Sequence, residues 1–499
     1  MKSVPFSAAE VEAAIEILEA IARDRGALAQ IEPREARLRL LEAAGRVSQP
    51  SRAEQRRLAK AFRRKGAEET RAADASLLEA TGIRSLRRAP VFATPEPVAL
   101  PSPEPAADEP ATMGGAPELS EPRKCYVCKA EFKRLHFFYD QMCAPCAALN
   151  WQKRSQTADL TGRVALITGA RVKIGYQAAI LLLRAGAKVI VTTRFPHDAV
   201  ARYAREPDFP RWADRLEIHG LDLRLTPAVE RFARALDERC ERLDFIIHNA
   251  CQTVRRPPGF YAHLVDHERR PLDALPPEVR PLLRAYHEER RARHTAPDDP
   301  ALLSQAALTP EDRALTGRVD LFPAGELDAD RQQIDLRPQN SWRLTLAEVT
   351  AVELLEVQLV NAVAPFVLSS KLKPLMLRHR TMDKHIVNVS AVEGQFYRDH
   401  KTDKHPHTNM AKAALNMLTR TSAADYVRDG IHMNSVDTGW VTDEDPAQIA
   451  ARKREIHGFH PPLDIVDGAA RIVDPIFSGI LTGEHVWGQF LKDYAPTEW

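Results

Sequence analysis

Four cysteines give the sharpest chemical signal in the chain. Cys125 and Cys128 form one Cys-x2-Cys pair, Cys143 and Cys146 form a second, and 14 residues separate the two pairs. Two such pairs supply four thiolates that can converge tetrahedrally on one zinc ion. Because four thiolates complete the coordination shell and leave no position open for water, we expect a structural zinc site.

Disulfide bonds are the alternative at these cysteines, and a reducing cytosol disfavours them. His136 lies between the two pairs and can replace one sulfur, although the four cysteines already fill the shell. Zinc binding would supply roughly 10–16 kcal/mol of folding free energy, which so small a module cannot obtain from its own core. Cys240 and Cys251 lie far away in sequence and are not expected to bind the metal.

A glycine-containing turn gives the second signal. An apolar strand at 164–168 leads into this turn, and an amphipathic helix and a second apolar strand at 188–192 follow. This βαβ order predicts a parallel sheet with the pyrophosphate of a dinucleotide at the helix N-terminus. Gly169 permits the tight turn, and Gly175 lets the helix pack closely against the strand.

Several motifs between about residue 160 and residue 499 resemble the short-chain dehydrogenase/reductase family. TGARVKIG resembles the family's TGxxxGxG turn, with Lys173 in place of the middle glycine, and HNAC at 248–251 resembles its NNAG strand end. LVNAVAPF, IVNVSAVEG, AKAALNMLTR and IHMNSVDTGWV follow in the family's order. The resemblance implies an α/β fold, a Rossmann-type doubly wound parallel sheet. It also implies a nicotinamide dinucleotide, and the residues expected to hold it are Gly169, Arg171, Lys173, Ile174, Gly175, Arg194, Asp222 (against adenine), Asn249 and Lys412.

The charges near the second strand favour NADP(H) over NAD(H). An acid at the end of that strand would bind the ribose hydroxyls and select NAD, but Thr193 and Arg194 stand there instead. Arg194 can bind a 2′-phosphate through bidentate geometry, and Lys173 adds a second cation. The alternative is that Arg194 stacks on adenine, which it could do with either cofactor.

The resemblance does not extend to every catalytic residue. Family members use an asparagine, a serine, a tyrosine and a lysine. Asn361 and Lys412 match the asparagine and the lysine, whereas Ala391 and Thr408 stand where serine and tyrosine belong. A threonine hydroxyl can orient a carbonyl, but it is a poor proton donor because its pKa lies far above neutrality.

Other proton donors stand in the loop before Lys412. Tyr397 can return to the site if the loop is displaced, and His400, His405 and His407 titrate in the right range. His407 is adjacent to Thr408 and is the histidine we include among the catalytic candidates. For each of these side chains, a surface or structural role is the alternative.

A large insertion separates two of the family motifs. From Asn249 to Asn361 there are 112 residues, and the family usually spends about a quarter of that. The insertion, at about 252–345, leaves the carboxyl end of a strand, where open α/β sheets bind ligands. We expect a lid or a substrate wall, or alternatively an oligomer contact. Arg255 and Arg256 can meet an anionic substrate, although a solvated basic turn is the simpler interpretation.

The chain divides into four predicted segments. Residues 1–89 show helical periodicity, 90–122 form a disordered linker with nine prolines, 123–156 hold the zinc module, and 157–499 form the α/β domain. Seven cations lie between Arg52 and Lys65, and several of them share one helical face, which is either solvated or faces an anionic partner. We expect the helical arm to be a protein-interaction module.

Composition excludes several functions. The net charge is +2, and a general nucleic-acid coat would need a strong basic excess. The sequence shows no export signal and no apolar run of about 20 residues, so we expect a cytoplasmic protein without a membrane span. The sequence predicts an NADP(H)-dependent oxidoreductase acting on a carbonyl, imine or activated double bond of a small molecule. The alternative is a catalytically silent NADP(H)-binding sensor or scaffold. The resembling family also implies a homo-oligomer.

Overall fold

The computed structural model of the protein describes residues 6–97, 116–292, 299–397 and 401–499, and divides the chain into two compact units at Ser76/Leu77. The first unit is helical, and its helices are α1 (Ala8–Arg23), α2 (Arg34–Ser48) and most of α3 (Arg52–Glu79). Ser7 and Glu10 form the capping box that starts α1. Helix α3 continues beyond the cation-rich stretch that ends at Lys65, because the residues that follow are rich in alanine and glutamate, which favour helix.

An eight-stranded sheet forms the centre of the second unit. Its order is β10-β9-β8-β7-β6-β3-β4-β5, and every pairing is parallel except that of β9 with β10. The predicted doubly wound Rossmann-type sheet is confirmed. The strands are β3 (Val164–Thr168), β4 (Lys188–Thr193), β5 (Leu216–Gly220), β6 (Phe245–His248), β7 (Lys384–Ser390), β8 (Ile431–Asp437), β9 (Phe490–Lys492) and β10 (Ala495–Thr497).

Both faces of this sheet are buried under helices. Successive residues of β3 point to opposite faces, so that Ala165 and Ile167 enter one core and Leu166 enters the other. The first core is completed by α6 (Lys173–Arg184), α7 (Pro196–Tyr203), α10 (Arg280–Ala292) and α17 (Ile465–Thr482). The second is completed by α8 (Thr226–Arg239), α14 (Ala364–Leu377) and α15 (Pro406–Tyr426).

The cysteine-containing segment folds as a small module on the second unit. It contains β1 (Glu118–Lys124), β2 (Glu131–Arg134) and α5 (Ala144–Arg154), and α4 (Gly82–Arg88) packs against it. Strand β1 begins inside the range 90–122 that was predicted as a linker. Its backbone pairs with β2 although it contains Pro122, because a proline is tolerated at the edge of a sheet. Phe92 and Pro95 also bond to the domain, while residues 98–115 of the predicted linker lie outside the described residues.

The insertion has its own small apolar core, which includes Phe260, Tyr261 and Phe322 and packs on Phe195 of the α/β domain. Its helices besides α10 are α9 (Pro258–Glu268), α11 (Pro300–Leu303) and α12 (Pro310–Leu315). After the insertion, α13 (Ala351–Gln358) joins α14 through a π-helical turn, and α16 (Ala447–His457) follows β8.

One helical stretch among the described residues, Ala351–Leu377, is long and apolar enough to cross a membrane by length and composition. The predicted absence of any such stretch overlooked it, because Glu353, Glu356 and the two lysines of α14 interrupt its apolar runs. Within the structure 44% of its most apolar window is buried, and α14 packs against α8 in the second core. A core helix passes the same length and composition test, so this is weak support for a membrane span.

Candidate functional site

A cavity of about 360 Å³ surrounds the glycine turn at the carboxyl ends of β3, β4, β5 and β6. Gly169 has φ +70°, and a Cβ there would lie 2.7 Å from the Cα of Ala250. A Cβ on Gly175 would lie 2.2 Å from Nδ2 of Asn249. The Asn249 amide donates to the carbonyls of Thr168 and Gly169, at 3.2 and 3.0 Å. Both glycines are therefore required by close packing, and Asn249 supports the turn from below.

Lys173 begins α6 in a backbone conformation that favours glycine. Its φ is +56°, at the position where the resemblance expects the middle glycine of the turn. Burial opposes the charge on the Lys173 amine, but the nearby carboxylates of Glu444, Asp330 and Asp328 outweigh it and raise the pKa. Two of these acids belong to the insertion and one to the segment after β8. The insertion and the segment after β8 therefore both place negative charge near Lys173.

The other two predicted cofactor-binding cations differ in their partners. Nη2 of Arg194 donates to Oη of Tyr261 at 2.6 Å, and the guanidinium lies 4.5 Å from the centre of the Tyr261 ring. Arg171 is buried, and its Nη1 lies 2.6 Å from Oδ2 of Asp198. Arg194 is thus presented at the end of β4 without an acidic partner in the described residues, whereas the charge of Arg171 is paired with Asp198.

Asp222 lines the cavity, but its carboxylate is already held. Nη2 of Arg224 lies 2.6 Å from Oδ2 of Asp222, and Nη1 of the same guanidinium lies 2.9 Å from Oε1 of Glu356. Burial would raise the pKa of Asp222, but Arg224 outweighs burial and lowers it. Asp222 therefore forms the cavity wall as a neutralised ion pair.

The lining of the cavity fits a phosphorylated dinucleotide. The turn leaves room for backbone approach at the N-terminus of α6, and the end of β4 offers threonine and arginine in place of an acid. The charged side chains around the cavity are five cations and three acids, namely Arg171, Lys173, Arg194, Arg224, Arg256, Asp222, Glu356 and Glu444. Arg171 and Arg256 are paired with acids outside this lining, so Lys173 and Arg194 are the cations that suit a ligand carrying phosphates.

The four predicted metal-binding cysteines come together. One ligand atom from each of Cys125, Cys128, Cys143 and Cys146 lies within 4.8 Å of the others, and the Cys128 and Cys143 sulfurs are 3.6 Å apart. Zinc–sulfur bonds of about 2.3 Å in a tetrahedron require sulfurs about 3.8 Å apart. Burial opposes ionisation of Cys125, but backbone N–H groups of Cys143, Cys128 and Val127 lower its pKa to about 7. The cluster can therefore hold a metal ion.

His136 is not part of this cluster. Its Nδ1 accepts the backbone N–H groups of Phe138 and Tyr139, at 3.1 and 3.3 Å. Cys240 and Cys251 are also free and lie apart from the cluster, and Cys251 lines the cavity instead. The four cysteines therefore remain the candidate ligands.

The family's lysine and asparagine positions lie at the carboxyl end of the sheet. Nζ of Lys412 is buried and donates to the carbonyl of Val389 at 2.8 Å. Asn361 lies in the π-helical turn, and its Oδ1 accepts the backbone N–H of Gln252 at 2.8 Å. Thr408 lies one helical turn before Lys412, and its buried Oγ1 has no hydrogen-bond partner in the described residues.

The additional proton donors are placed very differently. His407 is buried, and its Nε2 lies 3.5 Å from Oε1 of Glu353 on α13. Burial opposes ionisation of Glu353, but the neighbouring His407 and Ser341 lower its pKa. Tyr397, which we expected to return to the site, is 90% exposed, because its loop leaves the sheet after the turn Val392–Gly394. His405 stacks on Trp342 at 3.8 Å, and His400 lies outside the described residues.

The last part of the insertion crosses the mouth of the site. Ser341 Oγ accepts the N–H of Arg255, the Asn340 amide donates to the carbonyl of Glu444 at 2.9 Å, and the N–H of His405 donates to Leu344. This segment therefore bridges the loops after β6, β7 and β8. Its position favours the lid or wall interpretation over that of a free loop.

The two arginines at the start of the insertion are held in ion pairs, and Arg256 also lines the cavity. Arg255 pairs with Asp312 at 2.6 Å and with Glu356 at 3.0 Å, and Arg256 pairs with Asp335. The ion pairs do not fit a solvated basic turn, whereas contact with an anionic substrate stays a prediction. Acids that lie dozens of residues away take up both charges and tie the insertion to the domain.

Two acids of the site were missed by the sequence analysis. Glu356 receives hydrogen bonds from Arg224, Gln252 and Arg255 and forms the hub of the cavity wall. Asp437 ends β8, and burial, reinforced by the charge of Glu393, raises its pKa to about 6. An acid at the end of an apolar strand was the available signal for Asp437, within the motif IHMNSVDTGWV.

Two family models match the α/β domain. The short chain dehydrogenase model matches residues 163–263, and the enoyl-(acyl carrier protein) reductase model matches residues 338–461. Together with the doubly wound sheet, these matches define the class: the chain belongs to the short-chain dehydrogenase/reductase family.

Particular relatives differ in how much of the chain they match. An uncharacterized protein of Acanthamoeba polyphaga mimivirus is 31% identical over 371 residues, which cover 71% of this chain and 71% of that protein. The WW domain-containing oxidoreductase of Drosophila melanogaster is 36% identical over 93 residues, 18% of this chain and 23% of its own length.

Solved structures also resemble the chain. RhlG of Pseudomonas aeruginosa, determined as an NADP complex, is 18% identical with a TM-score of 0.41, over 67% of this chain and 95% of that chain. Carbonyl reductase Sniffer of Drosophila melanogaster is 16% identical with a TM-score of 0.41, over 68% of this chain and 100% of that chain.

Proposed function

We propose that the protein is an NADP(H)-dependent oxidoreductase that transfers hydride to or from a carbonyl, imine or activated double bond of a small molecule. The observation that carries this proposal is the cavity at the glycine turn, where Arg194 stands at the end of β4 in place of an acid. When bound, NADP(H) supplies the hydride or accepts it. Membership of a family of oxidoreductases supports the same assignment.

The residues of the turn would hold the phosphates of the cofactor. The backbone from Gly169 to Gly175, which includes Ile174, leads into the N-terminus of α6. The N–H groups there can donate hydrogen bonds to the pyrophosphate. Lys173 and Arg194 supply charge for a 2′-phosphate, and Arg194 can do so with two parallel hydrogen bonds. Arg171 contributes to the cavity wall, since Asp198 already neutralises it.

Thr408, His407 and Lys412 are the proposed groups on the substrate side. The Thr408 hydroxyl has no partner in the described residues and is free to orient a substrate oxygen. His407 follows Pro406 on the same helical turn as Thr408, and its Nε2 lies 3.5 Å from Oε1 of Glu353. We assign His407 as the donor of the proton that the substrate oxygen takes up on reduction. Lys412 and Asn361 keep the positions that the family uses to support this chemistry.

A catalytically silent NADP(H)-binding sensor or scaffold is the second candidate. Two observations favour it: Ala391 and Thr408 replace the serine and tyrosine of the family, and the Lys412 ammonium is buried against the carbonyl of Val389. In that case the cavity would bind the cofactor without turnover, and the helical arm would contact a protein partner.

Cofactor titration separates these possibilities. NADPH and NADH are titrated into the full chain, with nicotinamide fluorescence as the readout, for the wild type and Arg194→Gln. We expect tighter binding of NADPH, and a loss of at least tenfold in NADPH affinity in the variant with little change for NADH. Equal affinity of the wild type for both cofactors would overturn the proposal for Arg194. A carbonyl panel then tests turnover: NADPH binding without oxidation of NADPH by any substrate favours the sensor.

We also propose that the four cysteines hold a structural zinc ion. The clustering of their sulfurs within 4.8 Å supports it, and four thiolates would leave the ion closed to substrate. Elemental analysis of the freshly purified full chain should give about one zinc per chain, and Cys128→Ser should lose it. Less than about half an equivalent in the wild type contradicts the proposal, and a different metal in its place corrects it.

The remaining assignments follow from sequence and surface. We propose that the helical arm, whose helices α1 and α2 bury no residue, binds a protein partner. We also propose that the protein acts in the cytoplasm and does not bind nucleic acid. A protein bound by the full chain and lost on removal of residues 1–76 would support the arm's role. A complex with duplex or single-stranded nucleic acid that survives about 0.2 M salt would contradict the last point.

A further inference from the structure

The geometry points to a role for the cysteine module beyond its own stability. We infer that Tyr126 and Gln141, each next to a metal-binding cysteine pair, are positioning residues for the chain segment that forms one wall of the cofactor cavity. Metal binding and cofactor binding are then coupled. This inference rests on the proposed binding of NADP(H).

The segment in question is residues 438–464, between β8 and α17. Thr442 and Glu444 of this segment line the cavity, and the carboxylate of Glu444 acts on the amine of Lys173 at the glycine turn. The segment also receives the amide of Asn340 from the end of the insertion. Its position therefore determines the width and the charge of the cavity on the side of α6.

Contacts from the module reach both ends of this segment. Oη of Tyr126 accepts the N–H of Trp440 at 2.9 Å, and the amide of Gln141 donates to the carbonyl of His460 at 2.7 Å. The N–H of Tyr126 also donates to the carbonyl of Gln141 at 2.8 Å, so the two residues are joined. Tyr126 directly follows Cys125, and Gln141 precedes Cys143 by two residues. A metal that fixes the cysteines therefore fixes both contacts.

Apolar packing runs along the same path. Cys125 and Met142 share one buried cluster with Val441 and Leu463, which lie near the two ends of the segment, and with Val466, which lies just beyond it. The module has no separate core of this size within β1, β2 and α5. Its fold and the position of the segment are therefore set together.

A second set of contacts leads to the glycine turn through α17. Arg154 pairs with Asp464 at 2.6 Å and with Asp467 at 2.9 Å, and Oη of Tyr139 donates to Asp467 at 2.6 Å. One residue further along, Gly468 packs so closely on Ile174 that a Cβ would lie 3.0 Å from Cδ1 of Ile174. The start of α17 thus joins the module to the first turn of α6.

Tyr126→Phe tests the inference in the full chain, because it removes only the hydroxyl that accepts from Trp440. We expect NADPH affinity to fall about fivefold, the effect of one hydrogen bond, with zinc content and melting temperature unchanged within error. Hydrogen exchange of the amides in 440–463 should become faster. A Cβ placed on Gly439 would lie 3.1 Å from this hydroxyl, so the hydroxyl packs against the same turn from which it accepts the hydrogen bond.

Lys153→Met is the matched control. Lys153 lies in the same module, but its Nζ contacts Asp474 and Ser478 on later turns of α17, away from the segment. We expect it to lower the melting temperature and leave NADPH affinity and exchange in 440–463 unchanged. A similar loss of affinity in both variants would show a general stability effect and overturn the inference.

Graded metal removal supplies the second arm. A zinc chelator is added in steps to the full chain, and released zinc, NADPH affinity and exchange in 440–463 are followed together. We expect the three to change in proportion, while exchange in β4 and β5 stays slow. Metal release that leaves exchange in 440–463 unaltered overturns the inference, whether or not the protein binds NADPH. Failure of the wild type to bind NADPH at all contradicts the proposed function separately.

Discussion

Thr408 shows how a residue can occupy a family position without the family's chemistry. The helix places it one turn before Lys412, as the family places its tyrosine, yet its hydroxyl is buried and has no partner in the described residues. Leaving a hydroxyl unpaired in the interior costs about 1–3 kcal/mol. Such a cost is tolerated when the hydroxyl has a partner during function, and a bound substrate oxygen would be that partner.

Thr408→Val replaces this hydroxyl with a methyl group of the same shape. We expect the free energy of unfolding to rise by about 1 kcal/mol, because an unpaired polar atom is removed. If Thr408 orients the substrate, kcat on an active carbonyl should also fall about tenfold. Urea unfolding and steady-state kinetics measure the two effects.

Ser390→Ala is the control for this substitution. Oγ of Ser390 is also buried without a partner in the described part of the chain, but Ser390 is one residue away from the family's serine position at Ala391. We expect the same gain in stability and no change in kcat. A loss of stability in Thr408→Val would show that an ordered water or another group pairs with the hydroxyl.

Asp437 is the residue through which pH should act on stability. Its pKa in the folded protein is about 6, raised by burial and by Glu393, against about 3.8 in the unfolded chain. The folded state therefore binds the proton more tightly. The stabilisation from protonation is complete below pH 4 and is lost as the pH rises through 6, at a cost of about 3 kcal/mol.

Asp437→Asn removes this titration and keeps an acceptor for the N–H of Gly439. We expect the variant to be more stable than the wild type at pH 8, by about 3 kcal/mol at most, with the difference vanishing near pH 4. Thermal unfolding between pH 4 and pH 8 measures it. A difference that is independent of pH would mean that Asp437 keeps an ordinary pKa.

At the scale of elements, the sequence predicted best those helices, strands and clusters that depend on a single local pattern. Strand β3 has the predicted bounds, and β4 ends one residue later than predicted, because an apolar strand and a glycine turn are local signals. The clustering of the four cysteines followed from their spacing alone. The strand β1 was hidden by prolines that signal a linker equally well.

The partners of the insertion were not predictable in this way. Arg255 finds Asp312 after 57 residues and Glu356 after 101, and neither pattern nor composition indicates which acid will meet which arginine. The exposed position of Tyr397 was not predictable for a similar reason, since the direction in which a loop leaves a strand is set by packing that the sequence does not display. Long-range pairing is therefore the part of the site that only the structure provides.

Arg255→Met tests whether these pairs hold the insertion in place. The substitution leaves the buried carboxylate of Asp312 without a charged partner and removes one of the three donors to Glu356, which costs about 3–5 kcal/mol. We expect a large loss of stability and proteolytic cleavage within 252–345 before the rest of the domain is cut. Urea unfolding and limited proteolysis measure both.

Arg318→Met provides the comparison at an exposed pair of the same insertion. Arg318 and Asp320 are both about half exposed, and such exposed pairs contribute little to stability. We expect almost wild-type stability. If Arg255→Met behaves in the same way, the Arg255 pairs do not anchor the insertion.

At the scale of the whole molecule, the unexplained feature is an apolar surface on α14 and α15. Phe366 and Met417 are 58% and 55% exposed. The ion pair of Lys373 on α14 with Asp425 on α15, at 2.8 Å, holds the two helices side by side. Phe366 and Met417 lie about two turns before these residues on their respective helices. This surface also includes part of the stretch that is apolar enough for a membrane. A large exposed apolar side chain at the centre of such a surface indicates a contact.

We expect a second copy of the chain to cover this surface, as the oligomers usual in the family imply. Phe366→Asp should therefore convert a homo-oligomer into monomers, with secondary structure retained, because the side chain is exposed and not part of the core. Sedimentation velocity of the wild type and the variant measures it, with Leu346→Asp, another exposed apolar side chain away from α14, as the control. A monomeric wild type that floats with phospholipid vesicles, and a variant that does not, would assign the surface to a membrane instead.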